Sequence, residues 1–152
     1  MRVIGFHASK DLIRFVVLEG TAASPQVIKH ERRPLQLTDN RPEFMRNARS
    51  LFVSIMQTCQ PDKIAYVLSM AADSQSQVAG QILPFGALSL YALDNEKECK
   101  EFIAANFSKK FFLRHNIKFT DKYAACDSIL GAHPPNWTKS EQLAALAALG
   151  AM

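Results

Sequence analysis

No run of apolar residues in this sequence approaches the roughly 20 needed to cross a bilayer as a helix, so no transmembrane helix is expected. The first residues, Met1-Arg2-Val3-Ile4-Gly5-Phe6-His7, offer neither a long apolar core nor a small-residue cleavage site. That argues against a secretory signal. Cysteine is scarce: Cys59, Cys99 and Cys126 are the only three. None lies in a CxxC pair, so neither a disulfide framework nor a zinc site is indicated. Packed, reduced thiols in the cytoplasm are the expectation. Walker A, GxGxxG, GxSxG and HExxH patterns are all missing, which removes the usual signatures of nucleotide binding, serine hydrolysis and zinc proteolysis. A Cys–His nucleophile pair stays open, although packed cysteine is far commoner than reactive cysteine. The excess of one charge is small, with 18 Lys and Arg against 14 Asp and Glu, or net +4. Such a balance tolerates an anionic partner without demanding one, and dedicated nucleic-acid binders carry a denser basic stripe.

What is present is an ordinary globular composition, 48% hydrophobic and 21% charged over 152 residues. That suits a single domain covering 1–152, with a core large enough to need no cross-links. There is no internal repeat and no low-complexity linker. Short apolar runs alternate with helical patterns, which argues for an α/β architecture.

Arg2 to His7 opens as a strand, and Leu12 to Leu18 (Leu-Ile-Arg-Phe-Val-Val-Leu) reads as a second. Ala8-Ser9-Lys10-Asp11 between them suits a tight turn. A further turn at Glu19 to Pro25 leads to a third strand over Gln26 to Leu37, an edge strand because Pro34 lacks a ladder donor. Short connections imply an antiparallel meander. A helix then starts at Asp39 or Asn40, with Pro42 in its first turn. Phe44, Ala48, Leu51, Phe52, Ile55, Met56 and Cys59 share one face of it. It stops before Pro61. Lys63 to Ser69 reads as a buried central strand. Ser76 to Ala87 is expected as a short helix kinked or ended by Pro84, and Leu88 to Leu93 as the fifth strand. Asn95 with Glu98 suggests a capping box for a helix through Phe107. Thr120 to Leu130 reads as another helix. A second box, Thr138 with Glu141, opens a terminal helix with Leu143, Leu146, Ala147 and Leu149 as its apolar stripe. A right-handed crossover would set the fourth strand parallel to the first.

This β-β-β-α-β-α-β-α order resembles that of the ribonuclease-H-like fold, in particular its RuvC-like, Holliday-junction-resolvase branch. The local text is similar too. Val3-Ile4-Gly5-Phe6-His7-Ala8-Ser9 resembles that branch's first strand, which reads apolar-Gly-apolar-Asp-x-Ser/Gly. Phe15-Val16-Val17-Leu18-Glu19-Gly20 resembles its second strand, and Ala65-Tyr66-Val67-Leu68-Ser69-Met70 the strand that ends in a catalytic Glu. Ser76-Gln77-Val78-Ala79-Gly80-Gln81 resembles the small-residue helix that follows. Glu141 to Leu149 resembles the Asp-bearing, Ala/Leu-rich last helix. The resemblance implies a mixed five-stranded sheet with helices on its faces.

It also implies a nuclease site of two Mg²⁺ ions held by several carboxylates, since hard cations take anionic oxygen ligands and a metal pair can clamp an in-line displacement. Here His7 stands where the first-strand Asp belongs. Ser69 or Met70 stands at the Glu position, and Glu141 alone lies near the expected helix acid. The expectation is therefore a domain that binds nucleic acid or a protein without catalysis, needing no cofactor. A divergent nuclease using Mg²⁺ is the alternative. It would recruit His7 as ligand or base, with Asp11, Asp73, Asp127 and Glu141 as candidate acids, though turns and caps explain the same acids. A second alternative is an assembly protein whose segment from Leu143 to Met152 covers a partner, a homodimer being the default oligomer; simple packing on the sheet explains that segment as well.

For nucleic acid, Lys109-Lys110-Phe111-Phe112-Leu113-Arg114-His115-Asn116-Ile117-Lys118 interleaves basic and aromatic residues, which can contact phosphates and stack on bases. The binding candidates are Lys109, Lys110, Arg114 and Lys118, although an ordinary strand or packed loop would look the same. His30-Glu31-Arg32-Arg33 is a second basic cluster, explained equally by the protection of an edge strand.

Overall fold

β1 (Arg2–Ser9), β2 (Leu12–Thr21), β3 (Ser24–Pro34), β4 (Lys63–Leu68) and β5 (Glu98–Ile103) form one sheet in the computed structural model. Their order is β3-β2-β1-β4-β5. β1, β2 and β3 are antiparallel neighbours, whereas β4 lies parallel to β1 and β5 parallel to β4. The structure describes all residues except 10, 70–73, 116 and 118, and of Arg114 only the backbone. Asp73, Lys118 and the Arg114 side chain, candidates above, thus lie outside the described residues, as does Met70.

Strand alternation divides the sheet's residues between two cores. Ile4, Phe6, Ile13, Phe15, Val17, Ile64 and Tyr66 point to one face. There they meet α1 (Arg41–Cys59) and α2 (Gln75–Asp94). Asn40 caps α1 by accepting from the Glu43 N–H at 3.2 Å, and Gln60 ends it in the left-handed region at φ 47°. The expected apolar face of α1 is the buried one.

Val3, Val16, Leu18, Ala65 and Val67 point to the other face. It is covered by α3 (Lys109–Phe112), α4 (Lys122–Leu130) and α5 (Lys139–Ala151). The approach of α5 is unusually close. A Cβ built on Gly5 would stand 1.9 Å from the Ala144 carbonyl oxygen and 2.6 Å from the Ala148 backbone nitrogen. Only glycine on β1, facing alanines on α5, lets helix backbone lie against strand backbone. Leu143 through Leu149 are all buried, between the sheet and the α3–α4 layer, so packing within the chain accounts for that stretch.

Two elements differ from the sequence reading. Gln75–Asp94 is one helix that runs through Pro84, and Leu88 to Leu93 belongs to it rather than to a strand. Pro84 is buried, and its packing offsets the hydrogen bond the ring withdraws. The fifth strand is Glu98–Ile103, where the Asn95–Glu98 spacing suggested a capping box and a helix. On the sheet's edge those charges face solvent, while Cys99 and Phe102 pack inward on opposite faces. Asn95 accordingly closes α2 instead of opening a helix; its side-chain amide donates to the Tyr91 carbonyl at 2.8 Å. The third strand also ends at Pro34, short of Leu37. The segment after Ser108, expected as a strand or loop, is the single turn α3 followed by a 3₁₀ turn at Leu113–His115. No helix among the described residues is long and apolar enough to cross a membrane.

Candidate functional site

β-sheet register places His7 opposite Arg14, and Arg14 opposite Arg32. The three side chains therefore form a row across β1, β2 and β3 on the α5 face. Two arginines directly across a sheet repel each other. Glu141, in the first turn of α5, resolves the conflict. Its Oε1 accepts from Arg14 Nε at 3.0 Å and from Arg32 Nε at 2.5 Å. Its Oε2 accepts from the Thr138 backbone N–H at 3.0 Å and from the Thr138 hydroxyl. The capping box read from the sequence is thus real, and the same carboxylate also anchors two guanidinium groups. Arg14 is held further by Ser9, whose hydroxyl accepts from Arg14 Nη1 at 2.6 Å.

The Glu141 side chain is fully buried. Burial alone would raise its carboxyl; the hydrogen bonds from Arg32 and Thr138 outweigh that and hold it below the usual carboxylate range. Arg14 is 11% exposed and Arg32 30% exposed. Exposure of the cluster thus increases toward the β3 edge.

His7 lies at the inner end of the row, 4% exposed. Burial, then the positive charge of Arg14, lowers its pKa from 6.5 to about 4, against a weaker opposing pull from Glu141. The imidazole is neutral at pH 7, with one donor and one acceptor nitrogen. Neither has a hydrogen-bond partner among the described residues.

The other candidates lie elsewhere. Asp11 is exposed in the β1–β2 turn and lines a surface groove with Leu37, Ser76, Gln77 and Gly80. Asp127 accepts from Trp137 Nε1 and from Gln142 Nε2, each at 2.7 Å. Lys109 and Lys110 are exposed at the start of α3. Burial pushes all three thiols up, Cys99 to about 11, which makes them poor nucleophiles at neutral pH. Of the basic cluster on β3, Arg33 pairs with Glu31, which also meets Lys29, while Arg32 turns to Glu141. Sequence reading left Arg14 out altogether. The available signal was a charged residue in the middle of an apolar strand.

Beside Arg32, His30 occupies the next position on the same face of β3. Its ring lies 5.7 Å from Trp137 and 5.9 Å from His133, and those two rings are 4.9 Å apart. Trp137 immediately precedes the Thr138 that binds Glu141. Aromatic and guanidinium groups therefore adjoin.

The described residues do not suit a pair of divalent cations. No three His, Cys, Asp or Glu side chains among them gather as a metal-binding group. Both Glu141 oxygens are engaged, and a cation there would meet two guanidinium charges. The same cluster, two cations against one carboxylate beside a neutral imidazole, carries a net positive charge and suits an anion.

The strand order and the helix placement define this chain as having the ribonuclease-H-like fold, in its RuvC-like form. Among solved structures it is similar to Thermus thermophilus RuvC, at 13% identity and a TM-score of 0.74, covering 99% of this chain and 92% of that one. The same protein in complex with a Holliday junction substrate superposes with a TM-score of 0.73 at 12% identity, with the same coverage. The yeast mitochondrial Holliday junction resolvase Ydc2 follows at 0.67 and 13% identity, covering 97% of this chain and 76% of that one. No family profile matches the chain, and no curated protein matches it.

Proposed function

We propose that this domain binds nucleic acid, with branched DNA as the first form to test, and does not cut it. The observation that carries the reading is the occupation of both Glu141 oxygens by Arg14, Arg32 and Thr138. In-line phosphodiester cleavage with two metals needs free anionic oxygens on the protein to hold the cations. Guanidinium groups occupy that role's place here, and they attract the phosphate directly. The similarity to resolvases supports nucleic acid as the partner, by analogy of fold.

The test is an incubation of the purified protein with single-stranded, duplex and branched DNA, and with RNA, in Mg²⁺ or Mn²⁺. Binding and cleavage are followed together. The expected result is intact substrate and retention that weakens steeply with salt. Metal-dependent cleavage that disappears in His7→Ala would overturn the reading and identify a divergent nuclease. Neither binding nor cleavage would point to a protein partner instead.

A further inference from the structure

We propose that the Arg14–Arg32–Glu141 cluster, with His7 beneath it, is a metal-independent binding site for a phosphate group of the DNA backbone. This rests on the nucleic-acid reading above and assigns it to particular atoms. Three observations carry it. Arg32 spends only Nε on Glu141; its two terminal nitrogens find no partner among the described residues, and the side chain is 30% exposed. A guanidinium held by one edge presents the other as a planar pair of donors, the geometry that phosphate oxygens accept bidentately. Glu141 is thus a positioning residue, which orients the fork without touching the ligand.

The second observation is His7. It is 4% exposed, lies across from Arg14, and has no partner for either ring nitrogen among the described residues. Buried polar atoms without partners are uncommon and costly. An oxygen reaching inward past Arg14 would accept from the imidazole N–H. Third, His30 is the neighbour of Arg32 on this face of β3, and its ring adjoins those of His133 and Trp137, a cluster on which a base attached to the bound phosphate can stack. Exposed phosphate contact and adjacent ring contact are the two parts of a nucleotide-sized footprint.

The experiment titrates the full chain with fluorescein-labelled branched DNA at several salt concentrations, once in Mg²⁺ and once in EDTA. Trp137, the single tryptophan of the chain, supplies an independent signal from beside the site. Arg32→Gln is compared with Arg46→Gln on α1, whose side chain is 74% exposed and remote in sequence from the row. Arg32→Gln leaves Glu141 paired to Arg14 and Thr138, and melting curves confirm folding. The expected result is an affinity loss of about tenfold or more, equal in Mg²⁺ and EDTA, with the log–log salt slope reduced by about 1. Arg46→Gln should change little. His7→Leu should melt at a higher temperature and bind more weakly, a combination that a purely structural imidazole would not give. Normal DNA binding by Arg32→Gln, or equal losses in Arg32→Gln and Arg46→Gln, would overturn this site and leave the nucleic-acid reading standing. A wild-type chain that binds no DNA would end both.

Discussion

The two faces of the sheet are built on opposite rules, although the same five strands supply both. Toward α1 and α2 the strands present Ile4, Phe6, Ile13, Phe15, Ile64 and Tyr66, met by Phe44, Phe52 and Phe85. The rings of Phe6 and Phe52 pack edge to face at 5.2 Å, and Tyr66 stacks on Phe85 at 4.5 Å. Toward α5 the strands present Val3, Val16, Leu18, Ala65 and Val67 around Gly5, and backbone of Ala144 and Ala148 lies directly over that glycine. Volume fills the first face. The second adds a close approach at Gly5, which brings α5 down onto β1, and Glu141 in its first turn reaches Arg14. The large-residue face is thus a plain core. The small-residue face is a positioning device that ends in a charged site.

The sharpest way to break that comparison is to add volume where closeness is required. Gly5→Val should prevent folding or displace α5, because its side chain would meet helix backbone that cannot move aside. Removing volume from the other face, as in Phe52→Ala, should cost about 3–5 kcal/mol but keep the topology. Denaturant titration with circular dichroism separates the two outcomes. If Gly5→Val were tolerated as well as Phe52→Ala, the contrast between the faces would be wrong.

Acid should attack the small-residue face first. The folded pKa of His7 is lowered from 6.5 to about 4. Between those values the unfolded chain binds a proton that the folded chain refuses. Stability is therefore full above about pH 6.5 and falls as pH drops toward 4, by on the order of 3 kcal/mol. Glu141 acts in the same direction at lower pH, since its lowered pKa makes its protonation destabilising. Melting temperature measured against pH should show the decline beginning near pH 6.5, and His7→Leu should delay its onset to the carboxylate range. An unchanged onset in that variant would remove His7 from the account.

The smallest effect is expected at the cap. Thr138→Ala removes one of two Thr138 contacts to Glu141 and should cost about 1 kcal/mol by chemical denaturation. The backbone N–H and both arginines remain to hold the carboxylate. A loss several times larger would mean that Thr138, rather than the arginines, sets the position of Glu141.

Much of this was legible in the chain. Continuous apolar runs rich in β-branched and aromatic residues marked β1, β2 and β4, because these central strands are buried on both faces. Asn40 with Pro42, and Thr138 with Glu141, marked the starts of α1 and α5 through local hydrogen bonding that needs no tertiary partner. The local rules failed where tertiary packing overrode them. Pro84 sits buried inside a helix that packing holds together, and Glu98–Ile103 is a strand because β4 offers it an edge.

The site divides in the same way. His7 and Glu141 were visible as candidates from their places in the strand and the capping box. Their surroundings were not, because Glu141 meets Arg14 and Arg32 across 127 and 109 residues of chain. By itself the sequence determined the apolar strands and the caps, which are short-range consequences of side-chain type and local hydrogen bonding. Only the tertiary structure decided that one carboxylate would face two guanidinium groups, since register and helix docking choose which distant charges become neighbours.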